Sequence, residues 1–479
     1  MNISKSNYTY AKQCYKRLWL QKYKPELAEI DEVVKMRFDT GHKVGECAWN
    51  LIPGGVLVEY DHNILSMAEV TKKLIDDGVK VIYEAAFICE KLIAICDMVV
   101  VTDDGIEIYE VKSSTSIKDT YYDDISFQSL VVHQCGYKVS KASIVHINNK
   151  YKRCGDLNYA ELFTIVDVTD ISSQYRKGIK KIIPEIFEML EDEMPCIDIG
   201  AHCSKPYECE FSRYCRAHIP EYSVFDLYKG GKKAFEYYYN GIVKLEDLHK
   251  HGIALKGIQR LQLEANINKC SMIDKSKIKQ FLETIKYPLY FLDFESYQEA
   301  IPSFDGCRPY EQIPFQYSLH YMESENGELK HKEFLGEEGT NPKKSLAEQL
   351  CTDIFNSGTV LAYNIAFEGT IIKNLAGELP HLNKRLLGIS NNLVDLIIPF
   401  RSGYYYDSAM KGSFSIKSVL PALFPNDEEL DYKRLGIKNG TEAMAAFPEL
   451  VNDSKGERER RRKELLEYCK LDKIGRAHV

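Results

Sequence analysis

Residues 93–112 read IAICDMVVVTDDGIEIYEVK. Two apolar, β-branched runs, 93–101 and 106–111, flank the turn residues Asp103-Asp104-Gly105. Strand-forming runs on both sides of an Asp-Gly turn are typical of a β-hairpin. The sequence therefore predicts an antiparallel pair of strands over this stretch, and this pair decides the fold of the first half of the chain.

Charged side chains interrupt the predicted hairpin at Asp97, Glu110 and Lys112. Residues two apart on a strand share a face, so Glu110 and Lys112 point the same way. If the loop is Asp104-Gly105, Asp97 lies opposite Lys112 and diagonal to Glu110, on the same face, about 7–8 Å from Glu110. Two carboxylates at that separation can bind one Mg²⁺, and the lysine can stabilise charge on a phosphate. The alternative is a surface hairpin with salt-bridged charges, but an aspartate inside an apolar run is costly to bury without a partner.

Strands and helices alternate in both halves of the 479 residues, which predicts an α/β (mixed α+β) fold. The predicted segments are a domain over 1–219, a helical connector over 220–283 and a second domain over 284–472. Residues 473–479, KIGRAHV, back-translate as AAGATCGGAAGAGCACACGTC, which contains the start of a common sequencing adapter. We predict that they are an artefact of sequencing. Resequencing the gene tests this prediction, which an identical terminus followed by a stop codon would contradict.

Composition excludes few classes of function. The formal net charge of −8 does not indicate a nucleic-acid binder, although local basic clusters and acidic metal sites can coexist with it. The chain has no long apolar run and no apolar signal core at its start, so a cytoplasmic protein without membrane contact is expected. In a reducing compartment the 14 cysteines favour metal ligation by a subset over a disulfide framework.

Four cysteines stand out as that subset: Cys14 in a helix-like opening, and Cys203, Cys209 and Cys215 in C-x5-C-x5-C spacing. A metal group bound to all four would close a very long loop. In theory, such a crosslink lowers the entropy of the unfolded chain most when the loop is long. Thiolate-rich sites of four ligands bind zinc or an iron–sulfur cluster. Zinc modules usually contain a short C-x2-C pair, which is absent from these four, so the residues favour a cluster, with zinc as the alternative.

A second group of acids lies in the last part of the chain. Asp293 and Glu295 are two apart on a predicted strand, and Glu368 follows a strand near a helix start. Tyr468 and Asp472 are four apart on the final helix and share a face. Four converging carboxylates could hold two Mg²⁺ or Mn²⁺ ions about 3.5–4 Å apart, while the tyrosine positions a water. Each motif alone is common on protein surfaces.

Five polar residues of the first domain follow one another in the same order as the motifs of the RecB-type PD-(D/E)XK nucleases, and they resemble those motifs. These nucleases have a restriction-endonuclease-like fold. The five residues are His42, Asp97, Glu110-x-Lys112 and Gln128. The resemblance implies that His42, Asp97 and Glu110 bind metal and that Lys112 and Gln128 complete the site. The four cysteines resemble the iron–sulfur branch of this group, which implies a [4Fe–4S] cluster. Val132 stands at an accessory position where the family often has tyrosine.

The second group of acids resembles the DEDD-type 3′–5′ exonucleases of the ribonuclease H-like fold, with Tyr468 in the last motif and Glu368 where aspartate is usual. Asp395 fits an accessory position, for which we expect a structural role. Residues 412–421, GSFSIKSVLP, together with the Phe-Leu-Asp-Phe-Glu and Tyr-Asn-x-x-Phe-Glu runs, resemble the bacterial family of domain of unknown function 2779. Members of that family pair both units in this order.

These resemblances imply a metal-dependent nuclease with two candidate active sites, for which DNA is expected as the substrate over RNA. Two other interpretations stay open. One is a non-catalytic nucleic-acid-binding or scaffold protein, and the other is one active nuclease domain whose companion positions the substrate. Protein partners, cleavage polarity and oligomeric state are not encoded in any pattern that the sequence offers.

Overall fold

The computed structural model describes residues 2–29, 32–355, 357–425, 436–437 and 439–478, apart from the side chains of residues 32–33 and 471–478. The chain forms two compact units. Unit 1 consists of Met1–His218 with Glu299–Glu311, and unit 2 consists of Ile219–Gln298 with Gln312–Val479. Both contain mixed sheets and helices, which confirms the predicted mixed α/β class. Within the described ranges, no helix combines the length and apolar character needed to cross a bilayer.

Unit 1 is built on a mixed sheet with the strand order β2-β3-β4-β5-β6-β7, and β1 pairs with β4 in parallel. The strands from β3 to β5 form an antiparallel meander, β5 and β6 run parallel, and β7 returns antiparallel to β6. The strands are β1 (Ile3–Ser4), β2 (Val56–Leu57), β3 (Val81–Cys89), β4 (Leu92–Thr102), β5 (Gly105–Lys112), β6 (Val139–Ile147) and β7 (Phe163–Asp167).

Helices cover this sheet, and the largest buried cluster of unit 1 lies between the strands and the helices α1, α4, α5 and α7. The helices of unit 1 are α1 (Lys5–Gln13), α2 (Tyr15–Tyr23), α3 (Glu32–Ala48), α4 (Ile64–Asp76), α5 (Asp119–Gln134), α6 (Tyr159–Leu162), α7 (Thr169–Glu191) and α8 (Ser212–Cys215). Helix α5 connects the parallel strands β5 and β6 and is buried along most of its length, which places its polar residues inside the unit.

The hairpin between β4 and β5 turns at Asp103-Asp104, because Thr102 pairs with Gly105. The predicted loop of Asp104-Gly105 is therefore wrong by one residue, and the register shifts by two positions. Gly105 has φ +135°, and a Cβ atom there would lie 2.3 Å from the carbonyl oxygen of Lys138. Only glycine fits that close approach, so Gly105 begins β5 instead of completing the turn.

Residues 299–311 belong to unit 1 although both sequence neighbours belong to unit 2. Ala300 is buried in a unit 1 cluster, with Ile301 and Tyr310 packed against it. The Tyr310 hydroxyl donates to the carbonyl oxygen of Ser113 just after β5, and the Arg153 guanidinium donates to backbone carbonyls in the same segment. This segment is thus an integral part of the unit 1 core.

Unit 2 contains a five-stranded sheet with the order β11-β10-β9-β12-β13, in which β9 to β11 are antiparallel and β9, β12 and β13 are parallel. A separate pair joins β8 to β14, so residues of the predicted connector pair with the later part of unit 2. The strands are β8 (Met272–Ile273), β9 (Leu289–Tyr297), β10 (Ile313–Met322), β11 (Lys330–Leu335), β12 (Thr359–Ala362), β13 (Leu393–Asp395) and β14 (Tyr405–Tyr406).

The helices of unit 2 fall into a group before the sheet and a group that follows or connects its strands. They are α9 (Gly231–Tyr239), α10 (Asp247–Lys250), α11 (Gly257–Asn268), α12 (Lys275–Leu282), α13 (Lys343–Asp353), α14 (Ala366–Glu378), α15 (Asn383–Asn391), α16 (Ile398–Arg401), α17 (Ile416–Leu423), α18 (Gly440–Glu449) and α19 (Lys455–His478). Strand β9 is central in the sheet, and both α14 and α19 contact it. The acidic residues of β9 therefore belong to the strand that both helices with the other predicted motifs contact.

Candidate metal centres

Three adjacent strands of unit 1 each contribute one acidic residue to a row across the sheet. Glu84 lies between Tyr83 and Ala85, which pair with Met98 and Cys96 on either side of Asp97. Glu110 follows Tyr109, which pairs with Met98, so it comes level with Asp97 when this register is continued. Glu84 has a left-handed backbone with φ +54°, which is unusual for a residue with a side chain. The Asp97 carboxylate accepts a hydrogen bond from the backbone N–H of Val111 at 2.6 Å. Three acidic residues thus lie side by side across the sheet where the sequence predicted two, and among the described residues their carboxylate oxygens do not all lie within 4.8 Å of one another.

Glu110 is almost fully buried, and each of its oxygen atoms has a partner. Oε1 accepts hydrogen bonds from the ammonium groups of Lys112, at 2.6 Å, and Lys5, at 2.5 Å. Oε2 accepts a hydrogen bond from the side-chain amide of Gln128 at 2.6 Å. The structure therefore places the predicted residues Asp97, Glu110, Lys112 and Gln128 in one site, and it adds Lys5.

The charges of the row act on one another. Burial and the negative charges of Asp97 and Glu110 raise the pKa of Glu84 to about 8. Burial and the charge of Glu110 raise the pKa of Asp97 to about 7. Burial would also raise the pKa of Glu110, but the ammonium groups of Lys112 and Lys5 outweigh it and lower that pKa to about 2. Carboxylates crowded in this way gain from a divalent cation, whose binding releases their protons.

The raised pKa values predict that metal-free unit 1 is more stable in weak acid than in weak base. Glu84 and Asp97 hold protons in the folded protein that the unfolded chain releases, so their contribution to stability is complete below about pH 4 and is lost as the pH rises to about 8. We expect the free energy of unfolding to be larger by up to about 4 kcal/mol at pH 6 than at pH 8.5. Glu84→Gln should shrink this difference.

Urea titrations with EDTA at the two pH values can measure this effect. The two tryptophans, Trp19 and Trp49, both lie in unit 1, so their fluorescence follows the unfolding of that unit. Glu90→Gln is the matched control, because Glu90 lies in the exposed turn after β3 and shares the left-handed backbone, with φ +52°. If the free energy of unfolding depends on pH equally in Glu84→Gln and Glu90→Gln, Glu84 does not belong to the site.

Asp124 completes the surroundings of Glu110. Asp124 on α5 accepts a hydrogen bond from Lys112 at 2.5 Å, so Lys112 bridges two carboxylates. Glu110 and Asp124 raise the pKa of Lys112 although burial opposes this. Glu84 meets the criterion that singled out Asp97, an acid inside an apolar strand, and the sequence could have revealed it. Lys5 and Asp124 depend on tertiary contacts and carry no such signal.

His42 is exposed on α3, whose residues Val44 and Ala48 are buried. Within the described residues, no group of three side-chain ligand atoms that combines His42, Asp97 and Glu110 lies within 4.8 Å of one another. The structure therefore brings the predicted carboxylates together, but it does not place the histidine in direct contact with them.

The four predicted cysteines line one small cavity of unit 1, with a volume of about 20 Å³. Cys14 has an extended backbone that separates α1 from α2, which corrects the expectation of one continuous helical opening. Burial is the main cause that raises the pKa values of the Cys14, Cys209 and Cys215 thiols, and the nearby charge of Cys203 adds to it in all three. These mutual effects place Cys203 close to the other three thiols.

Hydrogen bonds around the cavity favour the ionised form of the sulfurs. Backbone N–H groups of Lys16 and Arg17 lower the pKa of Cys14, against the effect of burial, and the N–H of Phe211 does so for Cys209. Amide donors of this kind stabilise thiolates that bind metal and tune iron–sulfur clusters. The surroundings therefore suit a thiolate-bound group.

The spacing of the sulfurs tests a single zinc ion. Thiolates bound to zinc lie about 2.3 Å from the ion, so any two of them are at most about 4.6 Å apart. In the described part of the chain, no three of these cysteine sulfurs lie within 4.8 Å of one another. The four thiols thus surround a space wider than one zinc ion requires.

In unit 2, ligand atoms of Asp293, Glu295 and Cys469 lie within 4.8 Å of one another. Asp293 and Glu295 project together from β9, as their spacing predicted, and Cys469 is fully buried on α19. The sequence offered a single signal for Cys469, namely that it follows Tyr468 in the last motif. These three side chains can hold a divalent cation.

Tyr468 is close to the same group. A Cβ atom at Gly440 would lie 3.5 Å from Oε2 of Glu295 and 3.8 Å from the hydroxyl oxygen of Tyr468. Gly440 is the first residue of α18, so the start of that helix faces both side chains. The absence of a side chain at Gly440 keeps the space between Glu295 and Tyr468 open.

The other predicted residues of unit 2 are placed differently. Glu368 is buried in the first turn of α14 and does not join the group of three within the described residues. The side chain of Asp472 lies outside the described residues. Asp395 accepts hydrogen bonds from the backbone N–H groups of Asn364 and Ile397, at 2.8 and 3.1 Å. Asp395 thus stabilises the turn after β12, where Asn364 has φ +66°.

Comparison with known families gives one result. A family model described as Domain of unknown function (DUF2779) matches residues 290–415. This range includes β9 and α14, and the match supports the predicted family label for this part of the chain. No curated protein matches the chain.

Proposed function

We propose that this protein is a metal-dependent nuclease that hydrolyses phosphodiester bonds of nucleic acid, and we expect that nucleic acid to be DNA. The row formed by Glu84, Asp97 and Glu110 on three adjacent strands, with Lys112 bound to its most buried member, carries the proposal. The resemblance of these residues to the RecB-type PD-(D/E)XK motifs supplies the reaction class.

The side chains of unit 1 divide the work of phosphodiester hydrolysis. Asp97 and Glu110, with Glu84 beside them, would hold Mg²⁺ or Mn²⁺, which lowers the pKa of a bound water and neutralises charge on the phosphate. Lys112 is fixed between Glu110 and Asp124, at 2.6 and 2.5 Å, and orients a water or stabilises the charge that develops on the phosphate. Gln128 fixes the rotamer of Glu110 through its hydrogen bond.

The cysteine cavity fits a [4Fe–4S] cluster better than zinc, because its sulfurs are spread more widely than one zinc ion allows. Cys14, Cys203, Cys209 and Cys215 would hold the cluster. Its role in the proposed enzyme is to join the break between α1 and α2 to the end of unit 1.

We propose that unit 2 contains a second active site, which resembles that of an exonuclease. Asp293 and Glu295 would hold the same kind of ion, and Tyr468 would position a water beside Glu295. The match of residues 290–415 to a family without an assigned function leaves this activity a proposal that rests on the resemblance to DEDD-type exonucleases.

The deciding experiment is a cleavage assay on labelled single- and double-stranded DNA and RNA with Mg²⁺ or Mn²⁺. The protein is purified without oxygen and compared with Asp97→Asn, Asp293→Asn and the double variant. We expect cleavage by the wild type and none by the double variant. Loss of all cleavage in Asp97→Asn alone would assign catalysis to unit 1 and a positioning role to unit 2.

Equal inactivity of the wild type and the double variant on all four substrates would overturn the proposal. Binding of the same oligonucleotides by that inactive protein would then favour the scaffold interpretation. Asn replaces Asp without a change of shape, so circular dichroism spectra that match the wild type separate loss of chemistry from loss of fold.

A further inference from the structure

Lys5 reaches the centre of the unit 1 site from the start of the chain. Its ammonium nitrogen lies 2.5 Å from Oε1 of Glu110, the same atom that Lys112 contacts at 2.6 Å. The side chain of Lys5 is 27% exposed, against 15% for Lys112. Oε1 of Glu110 therefore contacts two ammonium groups, and the one of Lys5 is nearer to solvent.

The two lysines differ in how firmly they are held. Lys112 has a second carboxylate partner, Asp124, at 2.5 Å, and its ammonium lies 4.9 Å from the ring centre of Tyr121. Among the described residues, Glu110 is the one carboxylate with which Lys5 forms a salt bridge. When a cation takes Oε1 of Glu110, Lys112 keeps a partner and Lys5 loses its own.

The backbone that carries Lys5 is fixed, so its ammonium can move only over a short range. Strand β1 pairs with β4 at Ile3 and Ser4, and Ser4 caps the start of α1. Farther along α1, Thr9 donates to Asp124 at 3.4 Å and Lys12 pairs with Asp123 at 2.5 Å, both on α5. A lysine released from Glu110 thus stays at the site.

We infer that Lys5 is a second active-site lysine, which leaves Glu110 when a divalent cation binds and then contacts the phosphate of the nucleic-acid strand. The inference rests on the proposed function and names a residue that the nuclease motifs do not include. An ammonium beside the phosphate offsets the charge that develops during hydrolysis, which is also the role of Lys112 in the proposed function.

The inference predicts effects of opposite sign for Lys5→Met. The variant has one positive charge fewer beside Glu110, so Mn²⁺ should bind about tenfold more tightly in calorimetric titrations. The phosphate loses a partner, so a fluorescein-labelled single-stranded DNA should bind several-fold more weakly in Ca²⁺, and cleavage in Mg²⁺ should slow by about 10²-fold. Lys5→Arg keeps the positive charge, so it should recover part of the DNA binding and part of the cleavage rate that Lys5→Met loses.

The measurements are made in a background of Asp293→Asn and Glu295→Gln, so that unit 1 alone responds. Lys12→Met is the matched control, since Lys12 lies on the same helix and pairs with a carboxylate on α5 outside the carboxylate row. Weaker binding of both Mn²⁺ and DNA in Lys5→Met would indicate a structural role and overturn the inference, as would unchanged binding of both. If neither the wild type nor any variant cleaves DNA, but Lys5→Met binds Mn²⁺ more tightly and DNA more weakly, the contact of Lys5 with the phosphate is supported and the proposed function is wrong.

Discussion

Glu110→Gln is expected to slow cleavage by unit 1 by about 10³-fold. The substitution removes the negative charge that Lys5, Lys112 and Gln128 all contact, and it removes a metal ligand. The ammonium groups of Lys5 and Lys112 would then face a neutral side chain. Their uncompensated positive charge would repel a divalent cation from the site. Single-turnover cleavage of labelled DNA in Mg²⁺, with Asp293→Asn present to silence unit 2, measures the effect.

The control for this substitution is Glu107→Gln on the same strand. Glu107 accepts a hydrogen bond from the Tyr109 hydroxyl at 2.6 Å and lies on the opposite face of β5 from Glu110. Glu107→Gln weakens this one hydrogen bond, because an amide oxygen accepts less strongly than a carboxylate, and it leaves the carboxylate row intact. Cleavage by Glu110→Gln at the rate of Glu107→Gln would show that Glu110 takes no part in catalysis by unit 1.

Cys203→Ser is expected to abolish iron binding and to lower the stability of unit 1 by about 3 kcal/mol or more. Cys203 lines the same cavity as Cys14, Cys209 and Cys215, so its loss leaves the proposed cluster with three of its four ligands. The link between Cys14 and the end of unit 1 is lost with it. Metal analysis of protein purified without oxygen, together with urea titrations followed by tryptophan fluorescence, tests both effects.

Cys196→Ser provides the comparison, because Cys196 is an exposed thiol in the same segment and does not line the cavity. We expect it to keep the iron content, the brown colour and the stability of the wild type. Stoichiometric zinc in place of iron in the wild-type protein would contradict the cluster. Equal stability of both variants would show that the bound group does not hold unit 1 together.

The sequence predicts those parts of the site that depend on neighbouring residues in one strand. Alternation along β5 places Glu110 and Lys112 on one face, and the same rule applies to Asp293 and Glu295 on β9. The grouping of the four cysteines also follows from the sequence, because thiols of a reducing compartment that share a spacing pattern are candidate ligands. Periodicity and ligand chemistry suffice for these features.

Other features depend on contacts that no local pattern contains. The hairpin register follows from the close approach of Gly105 to Lys138, residues that meet only when β6 lies beside β5. Glu84 joins the row through a left-handed backbone inside a strand, where propensity rules expect an extended one. Lys5 is 105 residues from Glu110, and its position requires β1 to pair with the middle of the sheet.

The return of residues 299–311 to unit 1 has a consequence for any attempt to divide this protein. A fragment that stops at residue 218 would lack Ala300, Ile301 and Tyr310, and its core would expose the apolar surface that they cover. Because the polypeptide crosses between the units three times, one cut cannot release either unit whole. Recombination at a single junction could not shuffle them separately, so the two sites must be inherited and produced together.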